Sequence, residues 1–385
     1  MSINQEFSLL LVSLAVAILP GVSRLLRLPA PVVEILFGVV MGKSLLNLQF
    51  SGDWLPFLAH LGFLLLMFHS GMEIDFDMLR KQSWKELLFQ LLVFGASLGL
   101  SFAAAIHLGR GVFVALVLTT TSLGLVMPIL KEMGISRAPF GQKMLIAASL
   151  ADFLTLFGIT FFVLGKDYGF SWRFIAPIPL FAGFALLLWA GRMWVWWHPQ
   201  QAEKLLGASD SQELGVRLSL ALLFLFVAES ELVHLEPVLG AFMGGCVLSF
   251  VFRQKPDLEI KLSALGFGFL IPIFFINVGM QFDLHNILAV DQLIFTLKLL
   301  ILAILVKVIP SLLFYFQDFP LRKSLQAGAL LSSRLSLIVA AATIGLEKGL
   351  IDQQMKDSVV LLALLTCLFG PTLFKLCYHK AADTA

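Results

Sequence analysis

Three ionisable residues stand in the middle of long apolar runs. Asp152 lies in GQKMLIAASLADFLTLFGITFFVLG, Lys307 in QLIFTLKLLILAILVKVIPSLLFYF and Arg334 in LQAGALLSSRLSLIVAAATIG. If those runs cross lipid, an ionised side chain at their centre costs about 2.5–3.5 kcal/mol on insertion scales, so it must face protein or water. A carboxylate in that position can hold a cation or a proton, or it can close a structural salt bridge. Lys307 is the matching partner for Asp152: it either pairs with the acid or competes with a cation for it. Arg334 stays charged and carries no proton itself. Its work is to hold an acidic group or the loose carbonyls of an interrupted helix. Lys298, nine residues before Lys307, has the reach to snorkel outward.

Backbone polarity gathers in the same places. The run VFVALVLTTTSLGLVMPIL carries Thr119, Thr120, Thr121 and Ser122 at its centre, followed by Gly124 and Pro128. Hydroxyls compete for backbone hydrogen bonds, and Gly and Pro weaken the ladder. The run containing Arg334 has Ser332, Ser333 and Ser336 around it. Either span is a kinked but continuous helix or a broken one. A broken span leaves carbonyls that can coordinate a hard cation, and its hydroxyls add oxygen ligands. Further acids sit nearer the ends of their runs. Glu34 opens one run where a carboxylate also suits the helix dipole. Glu73 and Asp75 close the next. Glu229, Glu231 and Glu236 cluster where an acidic vestibule for cations would lie. His69 reads as a satisfied polar residue rather than a proton relay. No His, Cys or carboxylate cluster has metal-ligand spacing, no phosphate loop or catalytic constellation stands out, and no cofactor is expected. The three cysteines fall in apolar stretches and read as packing residues.

The elements that must position these residues are membrane helices. Of 385 residues, 59% are hydrophobic and 14% charged, against about 25% charge in an ordinary soluble domain. So little polar material cannot cover a water-facing surface. The net charge of +2 points to no nucleic acid. Apolar runs long enough to span fall near 6–22, 31–48, 55–74, 86–108, 112–131, 140–165, 171–195, 212–232, 237–252, 262–281, 292–316, 323–346 and 356–377. The predicted fold is therefore an all-α integral membrane protein of about thirteen helices. With the N-terminus outside and the C-terminus cytoplasmic, Lys and Arg at cytoplasmic ends outnumber those at outer ends by about three to one, the positive-inside pattern. Trp194, Trp196 and Trp197 then sit at the cytoplasmic interface. The start of the chain lacks a basic region and a cleavage site, and reads as a retained first helix.

One long polar connector, residues 198–213, divides the chain. On this reading, 1–165 form a first six-helix repeat, 166–211 a linking helix and connector, and 212–385 a second repeat. The odd linking helix makes the second repeat enter from the opposite side, an inverted topology common in secondary transporters. The two irregular spans are then the fifth helix of each repeat. Corresponding interruptions point to a binding site at the repeat interface.

Several segments resemble the monovalent cation:proton antiporter superfamily, its second subfamily in particular, across nearly the whole chain. LPAPVVEILFGVVMGKSLLNL is similar to that family's proline-start second helix, which contains a Glu. LAHLGFLLLMFHSGMEIDFDML, LTTTSLGLVMPILKEMGI, EPVLGAFMGGCVLS and LIPIFFINVGMQFDL also resemble family segments, the last most specifically. ILVKVIPSLL places Lys307, and RLSLIVAAATIGLEKGLI places Arg334, at the family's charged positions. The resemblance implies a mobile core domain and a dimerisation domain, and hence a homodimer in the cell membrane. It implies that Asp152 alternately holds cation and proton, with Thr120, Thr121 and Ser122 at a helix crossing. Electrogenic members carry two adjacent acids, whereas Ala151 precedes Asp152 here. The expectation is one proton per Na⁺ or K⁺ with no net charge movement. A channel-like conduit or a transport-inactive sensor on the same scaffold are the alternatives. Some potassium-efflux members add a cytoplasmic nucleotide-binding domain, which this chain either lacks or has had cut off.

Overall fold

Apolar runs punctuated by Pro, Gly and short polar turns fold as helices because, in lipid, a helix satisfies every backbone group within its own segment. A computed structural model describes residues 2–26, 28–50, 52–74, 76–169, 177–197, 213–233, 235–251, 256–284 and 289–378. Its helices are α1 (Gln5–Leu26), α2 (Ala30–Met41), α3 (Trp54–Met72), α4 (Phe76–Lys81), α5 (Trp84–His107), α6 (Val112–Thr119), α7 (Leu123–Glu132), α8 (Pro139–Tyr168) and α9 (Pro177–Trp197). They continue with α10 (Leu214–Leu232), α11 (Pro237–Val251), α12 (Pro256–Leu265), α13 (Ile271–Gln281), α14 (Val290–Ser311), α15 (Leu321–Leu331), α16 (Ser336–Glu347) and α17 (Gln353–Cys377). The fold is all-α apart from a two-residue parallel bridge, Ser2–Ile3 with Gln49–Phe50. Asp75, Arg27, Arg173, Arg253, Lys255, Lys380 and residues 198–212 of the connector, with Lys204, lie outside the described residues.

By length and composition, eight described spans can cross a membrane, with α6–α7 and α12–α13 each taken as one, or nine if α15 and α16, bent by 44° at their break, also count as one. Shorter apolar helices include α2 and α11. The Gly-Phe-Gly of the tenth run becomes a π-turn, Gly266–Leu270, joining α12 to α13.

Contacts gather the chain into two units, each built from two stretches: Met1–Asp77 with Thr160–Phe282, and Met78–Ile159 with Asp283–Ala385. Each draws on both sides of the connector. In the first unit, α1, α2 and α13 share a core of Val12, Val16, Leu19, Val33, Ile273 and Ile276. There α2 and α13 meet backbone to backbone. A Cβ added at Gly38 would strike the Ile276 carbonyl, and one at Gly279 the Ile35 carbonyl. Small residues at such a crossing let membrane helices close on one another where no hydrophobic drive exists between them.

The second unit holds α5, α6, α7, most of α8, and α14 to α17. Leu123, Val126 and Leu130 of α7 pack with Met144 and Ala148 of α8, Ala327 and Leu330 of α15, and Phe374 of α17. Along α14 one face is exposed, at Leu297, Ile301, Leu305 and Ile309, and suits lipid. The opposite face, with Leu299, Ala303, Val306 and Lys307, is buried. A helical period thus turns Lys307 into the protein.

Candidate functional site

The second unit contains both broken spans. Helix α6 stops at Thr119, and residues 120–122 run outside any helix before α7 begins at Leu123. Thr120 (φ −53°, ψ 153°) and Ser122 (φ −142°, ψ 104°) have left the helical region. The matching break lies at 333–335, between α15 and α16. The two breaks approach each other: the Ser122 and Ser336 hydroxyls are 3.4 Å apart. Both spans are therefore broken rather than kinked, as the clustered hydroxyls predict. The Thr119 hydroxyl donates to Ala115 O at 2.8 Å and that of Thr120 to Val117 O at 2.8 Å. Those bonds serve carbonyls of the last turn of α6 and leave the Thr119 carbonyl for another donor.

That donor is Lys307. Its ammonium donates to Thr119 O at 2.6 Å and to Thr121 Oγ1 at 2.7 Å. A buried cation is thus placed on the negative end of the α6 dipole. Asp152 does the converse. Its Oδ2 accepts from the Leu123 amide at 3.0 Å, so a carboxylate stands on the positive end of α7. Its Oδ1 is buried and has no partner in hydrogen-bond geometry, although the Thr121 backbone amide also lies beside the carboxylate. Lys307 and Asp152 are close enough to attract, but Lys307 makes no ion pair with the acid and spends its donors on the helix break. Position on α14 is set partly by Ser97 of α5, whose hydroxyl donates to Val306 O at 3.0 Å.

Arg334 occupies the second break and is fully buried, at 0% exposure. One Nη donates to Ala303 O at 2.7 Å, while Nε and the other Nη have no partner. Like charge acts between Arg334 and Lys307. The centre therefore holds two cationic side chains and one carboxylate on four interrupted helix ends. One carboxylate oxygen has no hydrogen bond. Such an arrangement can bind a small hard cation or a proton, one excluding the other at the same atom.

Asp152, Thr120, Thr121, Ser122, Lys307 and Arg334 all belong to the second unit. Glu34, Glu73 and Glu229 belong to the first. Glu34 is buried on α2, Glu73 caps the C-terminus of α3, and Glu229 is half-buried on α10. His69 is hydrogen-bonded to the Leu262 carbonyl at 3.2 Å, the satisfied state its sequence context suggests. Among the described residues, no group of three His, Cys, Asp or Glu side chains is placed to hold a metal ion. Two polar residues that touch this centre escaped sequence reasoning: Gln90 and Ser97 of α5. With Ser101 they recur at i, i+7 and i+11 in the apolar stretch of α5 that follows Glu86, and that period was the available signal.

Comparison with known proteins gives the family and the fold. Residues 11–377 match the family described as "Sodium/hydrogen exchanger, transmembrane". The putative Na⁺/H⁺ antiporter YjbQ of Bacillus subtilis is 34% identical over 379 residues, covering 92% of this chain. The chain spans 60% of that relative's length. The Na⁺/H⁺-K⁺ antiporter GerN of Bacillus cereus is 26% identical, with 96% of this chain and 95% of that protein covered. Among solved structures, a sodium proton antiporter of Methanocaldococcus jannaschii superposes with a TM-score of 0.68 over 96% of this chain and 95% of its own, at 14% identity, a likeness of fold. With a matched stretch that holds both broken spans and every charged residue of the central cluster, this chain belongs to the transmembrane sodium/hydrogen exchanger family.

Proposed function

We propose that the protein exchanges Na⁺ or K⁺ for H⁺ by alternating access, with Asp152 as the shared carboxylate. The observation that carries this reading is Asp152 Oδ1, buried and unpartnered at the mouth of a broken helix. Asp152 loses its proton, takes the cation with help from Thr120, Thr121 and Ser122 oxygens, and the site turns to the other side. Because cation and proton contend for one group, neither crosses without the other returning. Lys307 holds the first break open by occupying the Thr119 carbonyl, and Arg334 ties the second break to α14 through Ala303 O. Ala151, where electrogenic relatives of the resembled subfamily have a second acid, leaves one proton to trade for one cation. Exchange is then electroneutral.

The wider architecture in this reading is thirteen spans, with 1–165 and 212–385 as inverted six-helix repeats joined through 166–211. The N-terminus lies outside, the C-terminus in the cytoplasm, and two copies pair in the inner membrane. Glu34, Glu73 and Glu229 line the cation's route. The test uses everted vesicles or proteoliposomes with a trapped pH dye. Addition of Na⁺ or K⁺ moves protons in the wild type and does nothing in Asp152→Asn. Full activity in that variant removes the assignment.

A further inference from the structure

Beside Lys307, within the second unit, lies a cavity of about 20 Å³. Its polar lining comes from Gln90, Ser97, Thr121 and Lys307, and its apolar lining includes Ala147, Ala151 and Leu331. That volume holds one water molecule. Gln90 is 1% exposed. Its Nε2 donates to Glu86 Oε1 at 2.9 Å. That bond fixes which way the amide points, because a carboxylate accepts and does not donate. The other amide atom, Oε1, is buried and has no partner. An unpaired buried acceptor costs about 1–3 kcal/mol, which a bound occupant would offset.

The chemistry of the walls selects that occupant. Lys307 has three N–H donors and uses two, on Thr119 O and Thr121 Oγ1. The Thr121 hydroxyl accepts one of these, which leaves its own hydrogen to donate. Ser97 donates to Val306 O and can still accept. A cation is excluded by the ammonium. An anion is disfavoured by the Gln90 carbonyl oxygen. A neutral molecule that both donates and accepts satisfies every wall, and in this volume that molecule is water.

We propose that the cavity is a built water site and that Gln90 is a positioning residue. Through the water, Gln90 holds the third N–H of Lys307 and keeps the ammonium on the helix break, away from Asp152. Behind Gln90, Glu86 is anchored in turn. Gln317 Nε2 donates to Glu86 Oε2 at 3.0 Å, Lys143 Nζ lies 3.5 Å from the same oxygen, and Lys143 donates to Gln317 Oε1 at 2.6 Å. The chain Lys143–Gln317–Glu86–Gln90–water–Lys307 therefore ties α5, α8 and the end of α14 to the centre. Without the water, Lys307 is free to swing toward the acid and compete with the cation.

The role given to Gln90 rests on the exchange reading of Asp152; the water site itself does not. Two measurements separate them. Density at a resolution that shows ordered water is expected to place one molecule within hydrogen-bond distance of Gln90 Oε1 and Lys307 Nζ in the wild type. An empty cavity overturns the site whether or not the protein transports. In proteoliposomes, Gln90→Leu is expected to raise the KM for the cation by roughly tenfold with the maximal rate retained. Gln90→Glu, which can share one proton with Glu86 and so presents the same donor and acceptor, is expected to restore it. An unchanged KM in Gln90→Leu, or a loss of maximal rate that Gln90→Glu fails to rescue, overturns the positioning role. Wild-type protein that shows the water but exchanges no cation would sink the proposed function and leave the water site standing.

Discussion

Asp152 and Arg334 are both buried and both incompletely satisfied, yet they call for opposite tests. The aspartate has one oxygen without a hydrogen bond, which the proposed exchange assigns to the cation or proton. The arginine has a single bond, to Ala303 O, and two unpartnered nitrogens. A buried charge so poorly compensated contributes little to stability, and replacing it with an apolar side chain of similar volume is often neutral or stabilising by about 1–4 kcal/mol. Arg334→Met is therefore expected to leave the thermal midpoint in detergent unchanged or raised while exchange falls sharply. A large drop in the midpoint would instead make Arg334 a structural strut. Thr121→Val removes one acceptor from Lys307 without changing side-chain volume much. A hydrogen bond to a charged group is worth about 1.5–3 kcal/mol. The variant should weaken the α6–α14 contact by that order, read as a lowered midpoint in a thermal melt.

At the scale of elements, the site depends on helices that end in mid-course. Four helix termini meet there, and their unsatisfied carbonyls and amides are what Lys307, Asp152 and the hydroxyls answer. Continuous helices would have no such groups to offer. Support comes from close packing elsewhere. In the first unit the α2–α13 crossing leaves no room for a Cβ at Gly38 or Gly279. Overpacking a tight contact costs about 1–3 kcal/mol or more. Gly38→Val is expected to lower the yield of folded, monodisperse protein on size exclusion, whereas Gly21→Ala, where a Cβ meets nothing, should not. Equal behaviour of the two would mean that the crossing tolerates separation.

For the whole molecule, one carboxylate shared by two cations has a kinetic signature. Under the proposed exchange, protons occupy Asp152 as pH falls and exclude the metal ion. The apparent KM for Na⁺ or K⁺ should therefore rise as the medium is acidified, and saturating cation should recover the rate. A maximal rate that falls while KM stays constant would contradict competition. If exchange is one proton for one cation, as proposed, no net charge moves and an imposed membrane potential should not alter the rate, although each uncompensated charge would feel about 2.3 kcal/mol per 100 mV. A rate that follows voltage would require a further charged carrier, for which Lys307 is the placed candidate.

Composition and periodicity sufficed for the membrane class, the helical content and the positions of most spans. Those properties follow from how many apolar residues stand in a row, and a row is local. Asp152, Lys307 and Arg334 were legible for the same reason: a charge among apolar neighbours is costly wherever the chain goes. The doubled hydroxyl clusters showed both breaks, since Ser and Thr offer the backbone an alternative to its own ladder. Tertiary structure decided the pairings. Lys307 matched Asp152 by charge in the sequence, but in the fold it reaches the end of α6, because a helix terminus 188 residues away in the chain presents a bare carbonyl at shorter range. Gln90 went unread in the sequence, and folding set its amide between Glu86 and the cavity beside Lys307. Which donor meets which acceptor depends on distances across helices, and spacing along one helix does not contain them.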